Sequence, residues 1–272
     1  MEIVLTIAGS DPSGGAGIQQ DLRTIESLGC YGASVITALT TQNTLGVQSV
    51  MPVPADVVRS QLEAVLSDLD VKAIKIGQIP SAEVAHAIAE TLRQKFSIFN
   101  SHLLQLVEPC EKFSIDIVLD PVMISTSGRR LMSEDAIDVV VSELFPLCTL
   151  ITPNIPEMET LSALPGFESR NYNLLIKGGH AEGLEMADRL CLANGTQRIY
   201  ATEKIESTNL HGTGCAHSSA IAASLALGYS LEESVARGKA YVTEAIRRGK
   251  DLGIGHGNGP VFNPDGILPS ME

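Results

Sequence analysis

This sequence predicts an α/β fold: a mostly parallel sheet with helices on both faces. Three observations predict it. Short apolar, β-branched runs alternate with longer segments of helical spacing, the pattern of parallel strands joined by crossover helices. Glycine-rich turns follow several of those runs, at the sheet edge where α/β proteins bind ligands. The 272 residues are 44% hydrophobic, enough for one sizeable core, so a single domain over 1–272 is expected.

Residues 3–8 (IVLTIA) form the first buried strand, and the turn GSDPSGGAG follows at 9–17. Ile18, Leu22, Ile25 and Leu28 recur at helical spacing, and Gly29 stands where a helix C-terminus favours glycine. The run 34–39 (SVITAL) reads as the second strand. Helices are then expected at 56–68, 81–95, 133–144 and 155–163, with strands at 72–76, 115–120, 148–152 and 174–177 between and after them. Asn194-Gly195 marks a hairpin between 189–193 and 198–201. Residues 215–227 are small and apolar on all sides, hence a buried helix. Ser230 and Glu233 make a capping box for a last helix over 231–249. Two stretches fit less well. Residues 96–113 exceed a normal connection, and the crossover from Asn154 to Leu174 is near the minimum for a parallel pair, so 164–173 should be irregular with little helix.

Composition narrows the function. A net charge of −13 argues against nucleic acid, whose binders need a basic face. With 4% aromatics and no Trp, stacking platforms for single strands are also unexpected. The opening MEIVLTIAGSDPSGG has neither a basic n-region nor a long apolar h-region, and no run suits a membrane span, so a cytoplasmic location is expected. Five widely spaced cysteines without a CxxC suit reduced thiols rather than a disulfide or zinc framework.

Several turns carry chemistry. Gly9–Gly17 joins strand to helix and lets backbone approach a ligand, although a turn needing only positive φ is the plainer alternative. No Gly-Lys-Ser/Thr follows, so it is not a Walker A loop. His211-Gly212-Thr213-Gly214-Cys215 opens the buried helix, where free N–H groups suit a phosphate or an oxyanion. Cys215 there is either a thiol with a lowered pKa or simply a buried cysteine. Asp120 ends an apolar strand, where a carboxylate can hold Mg²⁺ or its waters, or simply cap a helix or turn. Asn154 and Glu157 are spaced as N-cap and N3, so capping alone would explain them. Lys177 precedes a Gly-Gly turn and can meet phosphate, or is a surface lysine before a turn. Asp120, Glu157, Lys177 and Cys215 all follow sheet ends and are expected to share one crevice. Asp21 and Gln42 are placed to face the ligand of the first loop. His86, His102, His217 and His256 lack metal spacing and read as surface or satisfied core residues.

Together the segments LTIAGSDPSGGAGIQQDL (5–22), YGASVITALTTQNTLGVQSV (31–50), KIG (75–77), LDPVM (119–123), LITPNIPE (150–157), IKGGH (176–180), NLHGTGCAHSSAIAA (209–223) and GHGNGPV (255–261) resemble the hydroxymethylpyrimidine/phosphomethylpyrimidine kinases of thiamin biosynthesis, a branch of the ribokinase-like superfamily. The resemblance runs over most of the chain. It implies phosphorylation of 4-amino-5-hydroxymethyl-2-methylpyrimidine and its monophosphate with ATP and Mg²⁺ as cofactors, and a homodimer. It also implies roles. Asp21 and Gln42 would hydrogen-bond the aminopyrimidine, with Ala16 and Val122 against the ring. Asp120 and Glu157 would organise Mg²⁺, with Asn154 nearby. Lys177 would meet ATP phosphates, Gly212, Thr213 and Gly214 would form the anion hole, and Cys215 would be the base.

The sequence departs from that pattern at Gln78, Leu210, Ala216 and His217, in the 96–113 insertion, and in the short 164–173 connection. These departures bear on substrate preference. A pyridoxal kinase, a cysteine hydrolase using Cys215 and a pyrimidine-binding homologue without kinase activity are the alternatives. Side-by-side substrate kinetics, an acyl adduct, or binding without ADP release would distinguish them.

Overall fold

The computed structural model describes residues 1–103, 115–125, 128–180 and 185–268. Its centre is a nine-stranded sheet in the order β3-β2-β1-β4-β5-β6-β7-β8-β9. The strands are β1 (Ile3–Ser10), β2 (Tyr31–Asn43), β3 (Gly46–Pro52), β4 (Val71–Ile76), β5 (Asp116–Leu119), β6 (Leu150–Ile151), β7 (Leu174–His180), β8 (Glu185–Cys191) and β9 (Gln197–Glu203). β2, β1, β4, β5, β6 and β7 pair in parallel. β3 is an antiparallel edge on one side, and β8 and β9 continue the sheet antiparallel on the other. The mostly parallel sheet is therefore as expected.

Both faces of the sheet are covered, because alternate residues of each strand point to opposite sides. Leu5 and Ile7 of β1, with Ile74, Ile76, Ile117 and Leu119, pack with Val58, Leu62, Val84, Ile88 and Ala136. Those come from α2 (Ala55–Asp68), α3 (Ala82–Leu103) and α4 (Glu134–Val139). Val4, Ala73, Val118 and Leu150 face the other way, onto Ile25, Ile221 and Val235. These belong to α1 (Gly17–Ser27), α6 (Thr213–Ala226) and α7 (Leu231–Gly249), and α5 (Ile155–Ser162) links β6 to β7. From Ala216 to Leu225 every residue of α6 is buried, as its small side chains predict. The Ser230–Glu233 capping box at α7 is present.

Some elements differ from expectation. β3 has no counterpart in the sequence reading. It is an exposed edge with no buried residue, so it lacks the apolar run that marks a central strand. Residues 96–103 continue α3 rather than forming a loop, and 104–113 lie outside the described residues. The helix expected at 133–144 is α over its first part and passes into a π turn at Val140–Leu144. The 164–173 connection holds only a 3₁₀ turn, Ser169–Asn171, so α5 is itself the crossover. Phe167 stacks on Tyr172 at 5.9 Å between ring centroids, and both rings meet Phe145 edge-on, which packs this irregular segment onto the core.

Candidate active site

The carboxyl ends of β1, β2, β4, β5, β6 and β7 open onto a cavity of about 410 Å³. Ala16, Gln42, Asp120, Val122, Asn154, Glu157, Lys177, Gly212, Thr213, Gly214 and Cys215 all line it. Residues scattered over 200 positions converge because a parallel sheet places every strand's outgoing loop on the same side.

Asp21 is the expected site residue that does not line the cavity. It is 0% exposed and closed in by partners. Lys75 Nζ donates to both of its oxygens at 2.9 and 2.8 Å, Thr6 Oγ1 donates at 2.7 Å and Ser219 Oγ at 2.9 Å. The reason is geometric. Asp21 sits on the face of α1 turned to the sheet, where a carboxylate is tolerated only when paired and hydrogen-bonded. Burial disfavours the charge of Lys75, but Asp21, Cys215 and Asp120 together outweigh it and hold the ammonium above its ordinary range. Lys75 lines the cavity in Asp21's stead. In the sequence its only signal is a lysine inside the apolar strand VKAIKI.

The two glycine loops interlock over the cavity. Gly212 caps α6 with φ of 83°, and a Cβ there would lie 1.9 Å from the Gly15 carbonyl oxygen. A side chain would thus force the loops apart. Behind that cap the first turn of α6 lines the cavity; its N–H groups lack intrahelical partners, and that of Thr213 donates to the Leu210 carbonyl at 3.3 Å. A Cβ on Gly214 would come within 3.1 Å of Asp120 Oδ2 and 3.5 Å of Lys177 Nζ, so this turn lies directly against the charged pair. Lys177 Nζ donates to Asp120 Oδ1 at 2.7 Å, with both side chains largely buried.

Asn154 and Glu157 do form the capping box of α5. Asn154 Oδ1 accepts from the Glu157 N–H at 2.9 Å, and Glu157 Oε2 accepts from the Asn154 N–H at 2.8 Å. Capping and lining the cavity are therefore combined in one pair. Burial pushes the Glu157 carboxyl up to about 7, Lys177 opposes the rise and Asp120 adds to it. Two acids held close at such a cost favour the arrival of a cation. Among the described residues no three acids, histidines or cysteines gather as a ready metal cage.

Cys215 stands on the first turn of α6. Burial raises its thiol to about 11, against the pull of Lys75 and a hydrogen bond from the Gly17 N–H, while Asp21 and Asp120 add to the rise. The helix terminus alone suggests the opposite direction; the carboxylates and the walls around the sulfur decide it.

Asp11, His211 and Asp188 also build the site, although the sequence motifs give them no role of their own. Asp11 accepts from the Ser13 N–H, the Ser13 hydroxyl and the Ala16 N–H, which holds the first loop in shape. His211 Nε2 lies 2.8 Å from Asp11 Oδ2 and 3.0 Å from Gln42 Nε2, joining both loops to β2. Asp188 of β8 accepts from the Gly178 N–H at 2.9 Å and from Lys239 Nζ at 2.9 Å, fixing the turn that carries Lys177. His217 is neither surface nor satisfied. It is 4% exposed, its Nε2 has no hydrogen-bond partner, and burial lowers its pKa to about 4.

Comparison with known proteins bears on this site. The family profile described as phosphomethylpyrimidine kinase matches residues 11–262. The chain is 44% identical to the hydroxymethylpyrimidine/phosphomethylpyrimidine kinase of Rhizobium meliloti, over 96% of each chain. It is 39% identical to the Escherichia coli protein of that name, over 95% of this chain and 96% of the other. The crystal structure of phosphomethylpyrimidine kinase from Clostridium difficile superposes with a TM-score of 0.70 at 38% identity, covering 90% of this chain and 100% of the other. Pyridoxal kinase from Staphylococcus aureus, in complex with AMP-PCP and pyridoxal, superposes with a TM-score of 0.76 at 30% identity, covering 98% of this chain and 94% of the other.

Proposed function

The chain belongs to the phosphomethylpyrimidine kinase family, and from that premise we propose how its cavity carries out the reaction. The protein is a phosphotransferase of thiamin biosynthesis, a kinase of hydroxymethylpyrimidine and its monophosphate. The observation that carries the site assignment is the Lys177–Asp120 pair lying against the first turn of α6.

The pyrimidine sits at the Ala16, Gln42 and Val122 end of the cavity, with its hydroxymethyl group toward Cys215. ATP lies with its phosphates between Lys177 and the N–H groups of Gly212, Thr213 and Gly214. Asn154 borders this end. The substrate hydroxyl oxygen attacks the γ-phosphorus in line, the bond to the bridging oxygen breaks, and ADP leaves. Most of the catalysis is positioning and charge stabilisation. Lys177, freed from part of its pairing with Asp120, follows the transferring group. Cys215 takes the hydroxyl proton once its thiol is ionised, and Lys75 beside it favours the thiolate. The monophosphate enters the same site for the second transfer.

Asp120 and Glu157 fit Mg²⁺, which would draw its other ligands from the nucleotide and water and neutralise charge on the phosphates. A cation there would oppose the burial that raises the Glu157 carboxyl in the free protein and would hold it ionised. The protein acts in the cytoplasm, which suits the free thiols of Cys30, Cys148, Cys191 and Cys215. It acts as a homodimer; Leu39, Leu45 and Met51 leave apolar surface exposed on the β2–β3 ribbon, and sedimentation equilibrium reads the assembly directly.

Substrate choice is tested by ADP release on adding hydroxymethylpyrimidine, its monophosphate and pyridoxal in turn. Turnover of the first two, with higher kcat/KM for hydroxymethylpyrimidine than for pyridoxal, is expected. Equal or reversed efficiencies would overturn the pyrimidine assignment.

A further inference from the structure

We propose that Gln78 is a substrate-recognition residue whose side-chain amide is left unpaired in the free protein so that a ring substrate can complete it. Three observations converge on it. Gln78 lines the cavity although it is only 9% exposed. Its Nε2 is buried and has no hydrogen-bond partner. Its backbone is fixed, because Thr37 Oγ1 donates to the Gln78 carbonyl at 2.6 Å. The side chain lies flat across Gly9, where a Cβ would come within 2.1 Å of Gln78 Oε1 and 3.0 Å of Cδ. The amide thus lies between the end of β1 and the cavity.

Position adds to this. Gln78 follows β4 and Gln42 lies on β2, the two strands that flank β1. Two amides therefore border the same end of the cavity from either side of Gly9–Ser10. An amide offers both a donor and an acceptor, and a pair of them suits a flat ring with hydrogen-bonding groups on more than one edge. An aminopyrimidine is such a ring. A site whose polar groups stay unpaired with the wrong ligand discriminates more strongly than an apolar pocket of the same shape. A buried amide without a partner also destabilises the protein that carries it. A residue that recognises substrate in this way works against the stability of the ligand-free protein, and that opposition is the signature to look for.

The inference rests on the assignment of this end of the cavity to the pyrimidine. The test uses Gln78→Met, similar in length but without the amide, and Gln78→Glu, which keeps the shape and cannot donate when ionised. Gln42→Ala is the control for the assignment itself. For Gln78→Met, KM for hydroxymethylpyrimidine is expected to rise about tenfold or more, the loss typical of one hydrogen bond to a buried group. KM for ATP should stay within twofold, and the midpoint of thermal unfolding without ligand should rise. Gln78→Glu should raise the same KM, so the test does not depend on one variant folding. An unchanged or lowered pyrimidine KM in both Gln78 variants would overturn the proposal. If Gln42→Ala raises KM in that case, only the role of Gln78 falls. If Gln42→Ala is also without effect, the placement of the pyrimidine falls with it.

Discussion

Removal of the Cys215 thiol is the most decisive perturbation of this site, because the structure gives the residue two opposing properties. It stands where a base is needed, yet burial raises its pKa to about 11. At pH 8 only about one thiol in a thousand is then ionised. The resting enzyme must therefore lose the thiol proton before the sulfur can accept one from substrate, and the negative phosphates of bound ATP make that loss harder. Two consequences follow. First, kcat of the unsubstituted enzyme should climb about tenfold per pH unit from pH 7 to pH 9, as the thiolate fraction does. Second, Cys215→Ala should lower kcat by about 10²–10⁴-fold at pH 8 and lose most of that climb. ATP affinity should hardly change, because the anion hole is backbone. Cys215→Ser should be almost as poor, since a serine hydroxyl is a far weaker base than a thiolate. The assay is ADP release at saturating substrates across pH, with iodoacetamide alkylation as an independent reading of the thiol. Alkylation should accelerate about tenfold per unit over the same range. A plateau below pH 9 would refute the buried, protonated thiol. Near-normal kcat in Cys215→Ala, with a pH profile parallel to the parent's, would refute the base. Lys177, the anion hole and the metal would then carry the reaction without one.

Two further substitutions follow from the buried charges. Asp120→Asn should raise the Mg²⁺ requirement and lower turnover, and it should also cost about 3 kcal/mol of stability, because Lys177 loses its 2.7 Å partner and keeps only Glu157; unchanged Mg²⁺ dependence in a magnesium titration would remove Asp120 from the metal site. His217→Leu should flatten part of the pH dependence of folding. With a pKa lowered by burial from 6.5 to about 4, His217 binds its proton more readily in the unfolded chain, so its contribution to stability is complete above pH 6.5 and falls by about 1.4 kcal/mol per unit as pH drops toward 4. Urea unfolding at pH 7, 6 and 5 compares the two proteins, and identical slopes would show that folding does not lower the pKa of His217.

Much of the fold was legible in the sequence because its signals are local. A β-branched run such as Ile3–Ala8, the small-residue helix from Thr213, and the capping boxes at Asn154 and Ser230 each depend on neighbours within a few positions. The glycine turns were legible for the same reason. Since every parallel strand ends at one edge of the sheet, the convergence of Asp120, Glu157, Lys177 and Cys215 followed from their places after successive strands. What the tertiary structure alone decided was environment. Nothing within a few residues of Asp21 reveals that Lys75, 54 positions away, closes off its carboxylate. Nothing near Cys215 tells whether the helix terminus or the walls of the cavity set its protonation. β3 was hidden because an exposed edge strand has no buried run to announce it. Gln78 and His217 stood out in the sequence only as departures from a pattern. That each keeps a buried polar atom without a partner is a property of the packed cavity wall, where desolvation is set by residues brought together from every part of the chain.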